Sequence, residues 1–158
     1  FEMKYNLPIF ISQPYIYIAN NYDNLDTLIK ELPKHSFGLK GLFPLWALTG
    51  IKFIYPKIVD FPIFVNKTEL TTVTLFYDAF YDFGIVGVAV FSTALGCIGY
   101  FFEKMIRSTR HATFYIIYAQ VFIYLALSFF TTWFSNPATW FYFIVTLSIF
   151  FKCEQKGR

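Results

Sequence analysis

Two aspartates four residues apart, Asp78 and Asp82, stand at the mouth of a long apolar run, each preceded by a tyrosine, Tyr77 and Tyr81. Carboxylates at that spacing share one face of a helix that begins before Tyr77. Their chemistry has two readings. In a site, a carboxylate accepts the proton of a hydroxyl or holds a polar ligand by hydrogen bonds, and the tyrosines offer faces for stacking. As a helix entry signal, one aspartate caps a membrane helix and both favour its positive N-terminal end. Tyr77 and Tyr81 then belong to an interfacial aromatic belt.

A second group lies in Lys34-His35-Ser36-Phe37-Gly38-Leu39-Lys40-Gly41, a basic loop with two glycines. Histidine is the side chain that titrates near neutral pH, which makes His35 a candidate base. Lys34 and Lys40 can face an anion, as can Lys30, Lys52 and Lys57. The plainer reading is that His35 is a solvated loop residue and that the lysines solvate the loops or snorkel at an interface.

The elements that carry these groups follow from composition. The chain is 56% hydrophobic and 23% aromatic, with 15% charged residues and a mean hydropathy of +0.49. A soluble domain carries roughly 25% charge, so composition points to an all-α, polytopic integral membrane protein. Three spans are expected, over 82–102, 112–133 and 135–151. Gly84, Gly87, Gly96 and Gly99 in the first permit close helix packing. Gln120, polar within the second, reads as an interhelix hydrogen bond.

Residues 1–81 read as an outer region of short interfacial or re-entrant helices. The apolar stretch within 1–20, broken by Pro8 and Pro14, is either the outer end of a span or an aromatic interfacial segment. Asn24 reads as the N-cap of a short helix from Leu25 to Leu32, stopped by Pro33. The apolar run from Gly41 to Ile51 is too short to span, and 55–70 reads as irregular loop. Asn66-Lys67-Thr68 matches the N-glycosylation pattern.

Positive charge sets the orientation. The loop 103–111 and the tail from Lys152 are basic and belong on the cytoplasmic side. Residues 1–82 hold seven Lys against eight Asp/Glu, a net of −1, whereas 103–158 hold six Lys/Arg against two Glu, a net of +4. The chain opens Phe1-Glu2-Met3-Lys4 and reads as a C-terminal piece of a longer protein, or a truncated copy of one. Cys97 and Cys153 are not placed to pair. No Cys/His cluster has metal spacing and no glycine pattern cradles phosphate.

Two segments carry a family resemblance. They are Tyr15-Ile16-Tyr17-Ile18-Ala19-Asn20-Asn21 and the longer Thr74-Leu75-Phe76-Tyr77-Asp78-Ala79-Phe80-Tyr81-Asp82-Phe83-Gly84-Ile85-Val86-Gly87, followed by three terminal spans. Over most of 14–152 the chain resembles the C-terminal part of the oligosaccharide repeat unit polymerases, the Wzy-type O-antigen and capsule polymerases of bacteria. The resemblance implies a multi-pass inner-membrane glycosyltransferase, working without metal or cofactor on undecaprenyl-diphosphate-linked oligosaccharide at the outer face. It implies the lipid bilayer and a chain-length regulator as partners, and no nucleic acid.

On that reading Asp78, Asp82 and His35 are the catalytic candidates. Lys34, Lys40, Tyr77 and Tyr81 are the substrate-binding candidates. The related O-antigen ligases use outer-loop Arg and His for the pyrophosphate, whereas residues 1–82 contain no Arg. The essential Arg then lies upstream of Phe1, or Lys substitutes with a less suitable geometry. The alternatives are an O-antigen ligase and a non-enzymatic flippase or transporter segment.

Overall fold

The computed structural model of the chain describes residues 8–108, 112–129 and 131–156, and every regular element among them is helical. The first helix, α1, runs Ile9–Glu31 and joins what the sequence divides in two. Pro8 precedes it and Pro14 lies inside it, where the missing N–H leaves the Phe10 carbonyl without its helical donor. Asn24 therefore caps nothing. It sits in mid-helix, fully buried, and its amide is claimed by a distant loop. Pro33 does end the element: Leu32 is extended, with ψ 111, as the residue before a proline prefers.

Twenty-three residues make α1 long enough to cross a bilayer, at about 1.5 Å per residue against a core of about 30 Å. Its Asn20, Asn21, Asp23, Asn24 and Asp26 keep it from being apolar enough.

The run from Gly41 to Ile51 gives two short helices, α2 (Phe43–Leu48) and α3 (Ile51–Ile54), hinged at Gly50 with φ 76. A 3₁₀ turn at Pro56–Ile58 follows, and the chain to Leu70 is otherwise irregular. Next, α4 spans Phe76–Ser108, starting before the expected span and ending after it. Much of the expected basic loop is thus helix, with Arg107 and Glu103 paired at 2.7 Å one turn apart. Thr109, Arg110 and His111, the rest of that loop, lie outside the described residues, as do Phe1–Leu7, Phe130 and Gly157–Arg158.

The last helices are α5 (Ala112–Ala126) and α6 (Pro137–Lys156). The Leu75 N–H donates to the Ser128 carbonyl at 2.9 Å, so the end of α5 lies beside the start of α4 and the two run antiparallel. That bond, and the Asn21 amide on the Phe129 carbonyl at 2.8 Å, draw 127–129 out of helix and stop α5 well before Trp133. Among the described residues one helix, α4, is long and apolar enough to cross a membrane, while α5 and the apolar part of α6, Pro137–Ile149, are shorter. Of the three spans expected from the sequence, α4 alone combines the length and the apolarity to cross a membrane among the described residues. Gln120 does bridge α5 and α6, donating to the Thr146 hydroxyl at 3.2 Å.

Burial is concentrated in the first half. Leu28, Tyr77 and Tyr81 form a core joined by Leu25, Leu32, Phe61, Phe64, Val73 and Phe80. Across α4–α6 large apolar side chains such as Ile85, Val90, Phe101, Ile116, Phe122 and Ile144 are exposed, as Phe10, Phe53 and Ile54 are in the first half.

Candidate functional site

The site forms where α4 breaks. Phe83 (φ −137, ψ 16) and Gly84 (φ 62, ψ −149) leave helical geometry, and the Gly84 combination is open essentially to glycine alone. The sequence reads Gly84 as a packing residue, but it is the breakpoint. Gly96 and Gly99 face open space, so neither supports close packing within this chain.

A broken helix strands carbonyls, which must find donors. The loop 35–41 supplies them. Ser36 N–H donates to the Tyr81 carbonyl at 3.2 Å and Phe37 N–H to the Asp82 carbonyl at 3.1 Å. His35 Nδ1 lies 3.2 Å from the Tyr81 carbonyl; a carbonyl only accepts, so this contact calls for the proton on Nδ1. The imidazole covers Gly84, where a Cβ would sit 3.3 Å from Cε1 and Nε2, and it meets the edge of Phe80.

Asp82 fastens the same loop. Its carboxylate accepts from the Ser36 hydroxyl, from Lys40 N–H at 3.1 Å and from Gly41 N–H at 2.7 Å. Gly41 must be glycine for that approach, since a Cβ would fall 2.7 Å from Oδ2. Asp82 is buried and occupied by three donors, so it acts first as the clasp between loop and break. It caps no helix start.

The clasp delivers Lys40. Its ammonium lies 4.7 Å from the Tyr81 ring centre, 5.4 Å from Phe61 and 5.6 Å from Tyr77, close enough for cation–π attraction. Its charge is matched by Asp78 Oδ1 at 3.7 Å, with side chains only 15% and 10% exposed. That separation is an ion pair too long for a hydrogen bond. Thr132 and Ser135, in the connection between α5 and α6, direct their hydroxyls at Asp78. Asp78 lies in the first turn of α4, where the helix dipole favours it, but its partners come from two other segments. Tyr77 is pinned: its hydroxyl donates to the Phe64 carbonyl and accepts from the Phe64 N–H, both at 2.9 Å.

Two cavities meet here. One is an apolar groove of about 1040 Å³ between α4, α5 and α6, walled by residues such as Val86, Val90, Leu95, Ile117, Val121 and Leu147, with Asp78 and Asp82 at its α4-entry end. The other is smaller, about 270 Å³, and is lined by Lys40, Phe61 and Tyr77 among others. Asp78, Thr132 and Ser135 line both and mark the junction. The arrangement can hold an amphiphile, with an apolar chain in the groove and a polar head among a cation, a carboxylate and hydroxyls.

Of the residues singled out from sequence, Lys40, Tyr77, Asp78, Tyr81 and Asp82 converge. His35 lies behind the break and lines neither cavity, and Lys34 is exposed on the loop. Thr132 and Ser135 were missed; a short uncharged link between apolar runs gives no signal beyond its hydroxyls. No family model, no curated protein and no solved structure matches this chain.

Proposed function

We propose that this protein acts on lipid-linked oligosaccharide as a membrane glycosyltransferase of the repeat-unit polymerase kind, at the outer face of a bacterial inner membrane. The observation that carries the reading is the junction: a long apolar groove opens at Asp78 into a polar, aromatic-lined cavity. An isoprenoid chain suits the groove and a glycan suits the cavity.

In the reaction a hydroxyl of the acceptor sugar attacks the anomeric carbon of the donor. The bond from that carbon to the diphosphate oxygen breaks, and the diphosphate leaves with the electron pair. Asp78 takes the hydroxyl proton. It suits this better than Asp82 because it borders both cavities, whereas Asp82 borders the groove alone and is committed to the loop through Ser36, Lys40 and Gly41. Lys40 balances Asp78, so the diphosphate needs further cations; Lys34, exposed on the same loop, is one.

The multi-pass topology belongs to the proposal. The apolar segments of α5 and α6 complete the crossing through their flanking residues, with 103–108 and the tail on the cytoplasmic side. Complementation tests the function. Wild type should restore long-chain polysaccharide to a polymerase-null strain, and Asp78→Asn, expressed to the same level, should leave single repeats. Long chains from Asp78→Asn would overturn the role of Asp78, and single repeats from wild type would overturn the polymerase.

A further inference from the structure

The smaller cavity has a definite electrostatic character, and that character selects its occupant. Lys40 contributes one positive charge and Asp78 one negative charge, 3.7 Å apart. Among the described residues no other charged side chain lines this cavity, so its charges cancel and an anionic ligand gains nothing from entering. A cationic ligand meets aromatic faces already taken by the Lys40 ammonium, which sits over Phe61, Tyr77 and Tyr81.

What the wall does offer is hydrogen bonding in both senses. The Lys40 ammonium makes no hydrogen bond within 3.5 Å among the described residues, its nearest carboxylate oxygen being 3.7 Å away, so its N–H groups are available as donors. The Asp78 carboxylate accepts. Thr132 and Ser135 do either. Phe43, Val59, Ile63 and Val73 provide apolar surface. A donor, an acceptor, hydroxyls and apolar surface around a small space suit an uncharged ring bearing several hydroxyls. The space of about 270 Å³, about a quarter of that of the groove, suits one sugar ring better than an oligosaccharide.

We infer that this cavity is a subsite for a single uncharged monosaccharide unit, held by Lys40, Asp78, Thr132 and Ser135, and that it discriminates against acidic sugars. The inference deepens the polymerase reading and rests on it for the lipid-linked context, but the sugar binding itself can be measured alone.

The test uses the purified full chain in nanodiscs and ligand-observed NMR, with glucose, galactose and N-acetylglucosamine as uncharged probes. Glucuronate, glucosamine and inorganic phosphate are the charged ones. At least one uncharged sugar should bind, with glucuronate weaker by about tenfold or more, the scale set by one mispaired buried polar group. Val59→Trp, which fills the cavity from its half-buried rim, should abolish that binding. Ala94→Phe, which fills the apolar groove, should leave it unchanged.

Binding of glucuronate, glucosamine or phosphate as tight as that of the best uncharged sugar overturns the inference, as does a wild type that binds no uncharged sugar. The comparison among ligands needs wild type alone, so a misfolded variant does not blunt it. Sugar binding without chain extension in the polymerase-null strain would sink the polymerase reading and leave the subsite standing. Chain extension without sugar binding would do the reverse.

Discussion

The two halves of this molecule hold together by different means. Before the break at Gly84, polar groups go inward: Asn20, Asn21, Asn24, Asp78 and Asp82 are all buried, and their partners come from loops far away in sequence. On both sides of it large apolar side chains go outward, with Phe10 73% and Phe53 76% exposed before it and Ile85 74% and Val90 63% after it. Buried polar groups lose stability unless each finds a partner, so the first half is specified by directed bonds. Water penalises exposed apolar surface, and hydrocarbon does not. The difference between the halves lies in their buried polar groups: the first half buries asparagines and aspartates bonded to distant loops, whereas the buried polar residues of the second, among those described, are all threonines.

The sharpest way to break that contrast is to remove a directed bond from the first half. Asn24 donates to the Leu70 carbonyl at 2.9 Å and the Thr72 carbonyl at 2.8 Å, and accepts from Asn66 N–H at 2.9 Å. Asn24→Leu keeps similar bulk but strands the Thr72 carbonyl and the Asn66 N–H; the Leu70 carbonyl keeps Asn20 at 3.0 Å. Two orphaned groups predict a loss of about 4 kcal/mol. Denaturant unfolding should show it, with hydrogen exchange accelerated first across 66–72. Unchanged protection there would mean that the asparagines do not fasten the loop.

The second half is tested by its surroundings. Ala89 is exposed on α4 and lines neither cavity. Ala89→Lys on a water-facing helix should change stability by no more than about 0.5 kcal/mol. Near the middle of a membrane helix it should cost about 3 kcal/mol. A membrane-insertion assay of the α4 segment, wild type against Ala89→Lys, separates the two, and equal insertion would mean that this face does not meet lipid.

The same contrast explains what the sequence made legible. The helical class, the apolar character of α4–α6, and Lys40, Tyr77, Asp78, Tyr81 and Asp82 as a group are local facts of residue type and spacing. Asn24 was misleading because its cap preference is local, while its actual partners lie more than forty residues away. Three asparagines within Asn20–Asn24, in an otherwise apolar and aromatic stretch, were the available signal that this helix face binds backbone. Gly84 shares a Gly-x-x-Gly spacing with Gly87, which suits packing or a break equally. The loop 35–41, which receives the freed carbonyls, decides between them, and only folding brings it there. Thr132 and Ser135 enter the site for the same reason. The length of α5 depends on the bond from Leu75 to Ser128, which hydropathy does not register.

The smallest effect expected is also a control on the first half. Lys30 and Asp26 pair one turn apart at 2.5 Å, but their side chains are 69% and 58% exposed. Solvent screens such a pair, and holding two long side chains together costs entropy. Lys40 and Asp78 stand farther apart, at 3.7 Å, yet are mostly buried, where water does little to weaken the attraction. Distance alone would rank the exposed pair higher; burial reverses the order. Lys30→Ala should therefore lower unfolding stability by no more than about 0.5 kcal/mol, with little change in 0.5 M salt. A loss several times larger would place surface charge beside buried hydrogen bonds as a determinant of the first half, and buried bonds alone would no longer set it apart from the second.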